Sequence, residues 1–147
     1  MSRNYYSELH VHVTWHTKGN LPLLTPELEA KVHTHLRHRC AQTPGVIVHA
    51  VNGTPTHVHL CATVPPTLTL SEWIGQLKGG SAYEVNHTNV TRDTLLEWQA
   101  GYGIVSFGTK DLPWVVQYVD RQKEHHRSGR VFSRLESITT PEDGKAP

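Results

Sequence analysis

The 147 residues contain no apolar run approaching the roughly 18 needed to cross a bilayer as a helix. The opening stretch, MSRNYYSELH, lacks the apolar centre of a secretion signal. A cytoplasmic protein with no membrane partner is the default expectation. Charge of one sign is also missing: 14 Lys and Arg against 13 Asp and Glu leave a net +1. A protein that wraps a duplex is usually far more basic, so any nucleic-acid site here must be local. Cysteine is scarce. Cys40 and Cys61 have no C-x-x-C spacing and no further partners, which excludes a disulfide scaffold and an all-cysteine zinc site; both read as reduced thiols. The phosphate-cradling pattern GxxxxGK[ST] is absent. Gly79 and Gly80, which follow Lys78, read as a helix end rather than as a phosphate loop. What the chain has in excess is histidine, 12 residues, too many for all to be satisfied core groups.

The length suits one domain with a modest core, taken as residues 1–136, and TTPEDGKAP reads as part of a disordered tail over 137–147. Leu9, Val11, Val13 and Trp15 alternate with His10, His12, Thr14 and His16, the period of a strand. Thr25-Pro26-Glu27 is a helix start: a capping residue, Pro in the first turn, then an acid. That helix is predicted to reach about Cys40, before Pro44-Gly45. A second strand covers 46–51, closed by the turn residues Asn52-Gly53-Thr54-Pro55. A third covers 57–64, with Val58, Leu60, Ala62 and Val64 on one face, ended by Pro65-Pro66. Thr69-x-x-Glu72 is a capping box for a helix carrying Trp73, Ile74, Leu77 and Tyr83. Strand material follows at 95–98 and 102–107. A last helix starts near Asp111 and reaches about His126. The order β-α-β-β-α-β suits an α+β, ferredoxin-like (RRM-like) antiparallel sheet with helices on one face, to which the final helix is an addition.

His57-Val58-His59 is the central motif. Residues i and i+2 of a strand share a face, so two imidazoles converge while Val58 meets the core. Such a pair is half a site for a divalent ion, and taken alone it is equally a pair of ordinary strand histidines. His10-Val11-His12 repeats the pattern. First and third strands are central neighbours in this fold, so His10 and His12 are expected to steady the second pair from behind or to serve the fold. On the last helix Tyr118 and Gln122, at i and i+4, share a face, with His125 and His126 one turn further on. A tyrosine hydroxyl is a weak nucleophile near its ordinary pKa of about 10 and needs a metal or base beside a scissile phosphate. A glutamine oxygen is a plausible third ligand for an ion on two histidines.

Three ordered blocks resemble the small single-tyrosine HUH transposases of bacterial insertion sequences. They are HVHVTWHTKGNLPLLTP, then GTPTHVHLCATVPPTLTLSEWIGQLKGGSA, then WQAGYGIVSFGTKDLPWVVQYVDRQKEHH with its Y-x-x-x-Q-x-x-H-H pattern. The resemblance covers roughly residues 5 to 135. The resemblance implies His57, His59 and Gln122 as ligands of Mg²⁺ or Mn²⁺, and Tyr118 as the nucleophile. It implies a metal-dependent transesterification on single-stranded DNA through a 5′-phosphotyrosine, hairpin recognition, and a homodimer in which the tyrosine helix can act in trans. Thr56 departs from the pattern, since an acid commonly precedes the histidines in relatives. Candidate DNA contacts are Lys18, Lys78, Arg92, Arg121, Lys123, Arg127 and Arg130, and the four tryptophans (15, 73, 98 and 114) read as core more than as base platforms. Two other readings stand beside this one: a catalytically silent or domesticated hairpin-binding protein, and an unrelated histidine-rich metallohydrolase with no use for Tyr118.

Overall fold

A computed structural model describes residues 4–88 and 95–138; Arg92 and the tail beyond Ile138 lie outside the described residues. Four strands form one sheet: β1 (His10–His16), β2 (Ile47–Thr54), β3 (His57–Thr63) and β4 (Gly103–Phe107). Their order is β2-β3-β1-β4 with every neighbouring pair antiparallel, the ferredoxin-like arrangement, and β1 and β3 are central. Helices α1 (Pro26–Ala41) and α2 (Leu70–Thr88) pack against each other under one face. That face gathers Val11, Val13 and Trp15 of β1 with Val58, Leu60 and Ala62 of β3, closed by Leu28, Val32, Leu36, Trp73, Ile74 and Leu77. Each such fully buried aliphatic contributes about 1.5–3 kcal/mol. No helix among the described residues is long and apolar enough to cross a membrane.

The C-terminal part is not an addition at the margin. Helices α3 (Leu112–Asp120), α4 (Gln122–Ser128) and the short α5 (Ser133–Glu136) lie on the opposite face of the sheet. Val115, Tyr118, Val119 and Leu135 bury Ala50 and Cys61 there. Both faces of β1 and β3 are therefore covered, and His10, His12, His57 and His59 are buried although they alternate with apolar residues as a solvent face would.

Several boundaries differ from the sequence expectation. β2 runs on through Asn52, Gly53 and Thr54, which pair with His59, Val58 and His57. Gly53 serves that pairing rather than a turn: a Cβ there would collide with the carbonyl of His57. α2 does not end at Gly79-Gly80. It runs on to Thr88, and because a Cβ at Gly80 would lie 3.0 Å from His35 Nε2, the glycine lets α1 pass close by. Tyr83 of α2 is 66% exposed and stacks on His87 rather than on the core. Trp98 forms only an isolated bridge to Thr17, not a strand. The last helix is two helices, broken at Arg121, whose φ and ψ of −104° and 24° are not helical.

Candidate active site

β3 brings His57 and His59 to the face covered by α3–α5, and each imidazole is held from behind. Thr54 Oγ1 and Thr56 Oγ1 lie 2.9 and 3.0 Å from His57 Nδ1. His12 Nε2 lies 2.7 Å from His59 Nδ1. The Nδ1 atoms are thus occupied and both Nε2 atoms face the same space, which is how metal-ligating histidines are usually oriented. Thr56, the departure from the family pattern, takes part in this orientation. His10 stands farther along the sheet with both nitrogens engaged, by Thr63 Oγ1 at 2.7 Å and Thr109 Oγ1 at 2.8 Å.

Two residues to which the sequence reading gave no role complete the cluster. His126 lies four residues beyond Gln122 on α4, and its Nε2 is 3.2 Å from His57 Nε2. Glu136, on α5, places Oε1 3.5 Å from His57 Nε2, 3.2 Å from His59 Nε2 and 3.2 Å from His126 Nε2. The four ligand atoms lie within 4.8 Å of one another. Donor atoms about 2.1 Å from a shared ion stand roughly 3.0–3.4 Å apart in octahedral or tetrahedral arrangements, and the pairs at 3.2–3.5 Å come close to that spacing. His59 Nε2 and Gln122 Oε1 are among the buried side-chain atoms that make no hydrogen bond. Both are lone-pair donors that a cation would satisfy. Gln122 is fully buried at the start of α4, with its amide nitrogen 3.4 Å from the Tyr118 carbonyl. His126 had one legible signal, its i+4 spacing from Gln122; Glu136, a lone acid ten residues further on, had none.

Tyr118 lies beside this cluster on the same chain, its ring centroid 6.2 Å from that of His59. Its hydroxyl donates to Glu136 Oε2 at 2.5 Å and accepts from the Phe132 N–H at 2.8 Å. Burial, with that bond to Glu136, pushes Tyr118 up to about 12. Burial also holds His57 and His12 down to about 3 and lowers His59, so these imidazoles are neutral, the form that binds metal. Burial works against ionisation of Glu136, but His59 and the Tyr118 hydroxyl beside it pull the carboxyl below its ordinary range.

The basic candidates divide into tethered and open groups. Lys78 Nζ donates to the carbonyls of Gln99 and Gly101 at 2.9 and 2.8 Å, and burial lowers its pKa. Lys123 is paired with Glu29 at 2.8 Å and bonded to Asn52. Both hold the fold together. Lys18 pairs with Glu97 at the surface. Arg127 is exposed. Arg121 and Arg130 line a cavity of about 270 Å³ with Trp114, Tyr118, His125 and Phe132. Trp15 and Trp73 are core and Trp98 is half-buried, but Trp114 is 46% exposed at this rim and stacks on Tyr118, so it is not a core residue.

Two solved structures are similar to the chain. One is a protein of Deinococcus radiodurans R1 provisionally assigned as a transposase, 23% identical with a TM-score of 0.64, over 83% of this chain and 96% of that one. The other is a REP-associated tyrosine transposase bound to a REP hairpin, 19% identical with a TM-score of 0.60, over 100% of this chain and 88% of that one. At these identities the likeness speaks for the fold. No curated protein matches the chain. Residues 5–122 match the family described as transposase IS200-like, and a match over that much of the sequence places this chain in the IS200-like transposase family.

Proposed function

We propose that this protein cuts and rejoins single-stranded DNA by a metal-dependent transesterification, with Tyr118 as nucleophile and a hairpin as the recognised feature. The observation that carries the reading is the link from the Tyr118 hydroxyl, through the Glu136 carboxylate, to the His57, His59 and His126 Nε2 atoms. Tyr118 Oη attacks a backbone phosphorus, forming a tyrosyl 5′-phosphoester and releasing the 3′-OH of the upstream strand. One P–O bond forms as one breaks, and the proton lost from Oη to Glu136 or solvent is balanced by the proton that the departing 3′-oxygen takes up. Attack by a 3′-OH on the adduct reverses the exchange and joins strands without ATP. Mg²⁺ or Mn²⁺ would be held by His57 and His59 with Gln122 as a further ligand, and would supply Lewis-acid polarisation of the phosphate. Thr54, Thr56 and His12 keep the ligating nitrogens aimed. Arg121 and Arg130 offer positive charge in the cavity that meets Tyr118, and the half-exposed Trp114 offers a face on which a base can stack. The hairpin-bound structural relative supports hairpin recognition here as well.

The position of Tyr118 beside its own chain's histidines supports action in cis, and a homodimer would then pair two complete sites. Incubation with labelled hairpin-bearing single-stranded DNA and Mn²⁺ should yield a denaturant-stable protein–DNA adduct that EDTA and Tyr118→Phe abolish. Mixing Tyr118→Phe with His57→Ala protein should not restore it, and restoration would mean action in trans. One observation favours a silent hairpin-binding protein as the second reading: Tyr118 has both sides of its hydroxyl occupied in this structure. Tight hairpin binding with no adduct under any divalent metal would establish that reading and overturn the first.

A further inference from the structure

We infer that Glu136 is itself a ligand of the metal, and that this bond fastens the segment Phe132–Glu136 over Tyr118 until a DNA phosphate takes the carboxylate's place. The inference rests on the metal site proposed above.

Glu136 lies on neither the histidine strand nor the tyrosine helices. Its Oε1 nevertheless approaches three imidazole nitrogens at 3.2–3.5 Å, while its Oε2 takes the hydrogen bond from Tyr118. The two oxygens divide the work: one faces the place where the nitrogens converge, and the other faces the nucleophile. A carboxylate oxygen 3.2 Å from the unpaired Nε2 of His59 sets lone pair against lone pair, and a divalent ion between them would turn that repulsion into two ligand bonds. The segment is built to reach this position. Leu135 is buried under the sheet face, and Arg134 donates to the Ser106 carbonyl at 2.6 Å. The Ser137 carbonyl rests against Gly103, where a Cβ would leave it no room.

Docked in this way, the segment closes the site twice. Glu136 fills a coordination position that a catalytic metal normally keeps open, and Phe132 N–H occupies the lone pair with which Tyr118 would attack. A phosphodiester oxygen carries the same single negative charge as the carboxylate. Exchange of one for the other leaves the charge at the ion unchanged, opens the segment and frees the hydroxyl in one movement.

Mn²⁺ binding to the full chain, followed by the paramagnetic resonance of the free ion, tests this together with hydrogen exchange at Phe132. Wild type should bind Mn²⁺, His57→Ala should not, and Glu136→Gln, which keeps the side chain's shape, should bind at least tenfold more weakly. Mn²⁺ should slow exchange of the Phe132 amide in wild type and leave it unchanged in Glu136→Gln. A hairpin oligonucleotide added to the Mn²⁺-loaded wild-type protein, which keeps the Tyr118 hydroxyl that accepts from Phe132 N–H, should speed that exchange again. If Glu136→Gln binds Mn²⁺ as tightly as wild type while His57→Ala does not, the metal site stands and Glu136 is not its ligand. If wild type binds no Mn²⁺, or Mn²⁺ leaves exchange at Phe132 unaltered, the fastening is wrong whatever the activity.

Discussion

Single side chains decide how the two HUH histidines are presented. His57 and His59 offer Nε2 to the site only because Thr54, Thr56 and His12 occupy their Nδ1 atoms. Partners behind metal ligands are typically worth about 10- to 100-fold in metal affinity. Replacing Thr54 and Thr56 together by valine should accordingly weaken Mn²⁺ binding by roughly tenfold or more without unfolding the protein, as titration calorimetry and a melting curve would show. Affinity equal to wild type would mean that packing alone orients His57. The motif His57-Val58-His59 was plain in the sequence, and so was its duplicate at His10-Val11-His12. Their division of labour was not, because it depends on the antiparallel register that sets His12 beside Cys61 and its ring against His59.

At the scale of elements, the hairpin β2–β3 shows how an ordinary turn signal can mislead. Asn52-Gly53-Thr54 has turn composition, yet it is strand, because Gly53 permits the close approach that its partner carbonyl at His57 demands. Gly53→Ala should cost about 1–3 kcal/mol of stability by overpacking, read from denaturant melts. Metal affinity should fall with it, since the collision is with the backbone of His57, a proposed ligand. A neutral result in both would show that the hairpin can splay at no cost. The helix break at Arg121 has a similar lesson. Sequence spacing puts Tyr118 and Gln122 on one face of one helix, whereas the structure divides them between α3 and α4 and keeps them together by the turn between.

Across the whole molecule, burial on both faces of the sheet sets the response to acid. His12 is held down to about 3, and His33 of α1 to about 4, in both cases chiefly by burial. An unfolded chain protonates histidine near about 6.5, so between these values the unfolded state binds more protons than the folded one. Stability of the metal-free protein is then complete above about 6.5 and is lost progressively as pH falls toward 4. The melting temperature should drop steadily from pH 7 to pH 5 in EDTA. A flat profile would mean that hydration or nearby carboxylates let these rings protonate in the fold as readily as in the unfolded chain.

The sequence by itself determined the order of the elements, the strand period that aims His57 and His59 at one side, and the family to which the chain belongs. These are local properties, written in alternation, caps and short motifs. Which atoms meet on that side was decided only by the tertiary structure. The approach of Tyr118 to His59, the turn of His126 into the cluster, and the return of Glu136 from the end of the described chain all depend on how α3–α5 lie across the sheet. Contacts between residues as far apart as His57 and Glu136 have no period or spacing for a sequence to display. They exist because the buried sheet face had to be covered, and the segment that covers it carried a carboxylate.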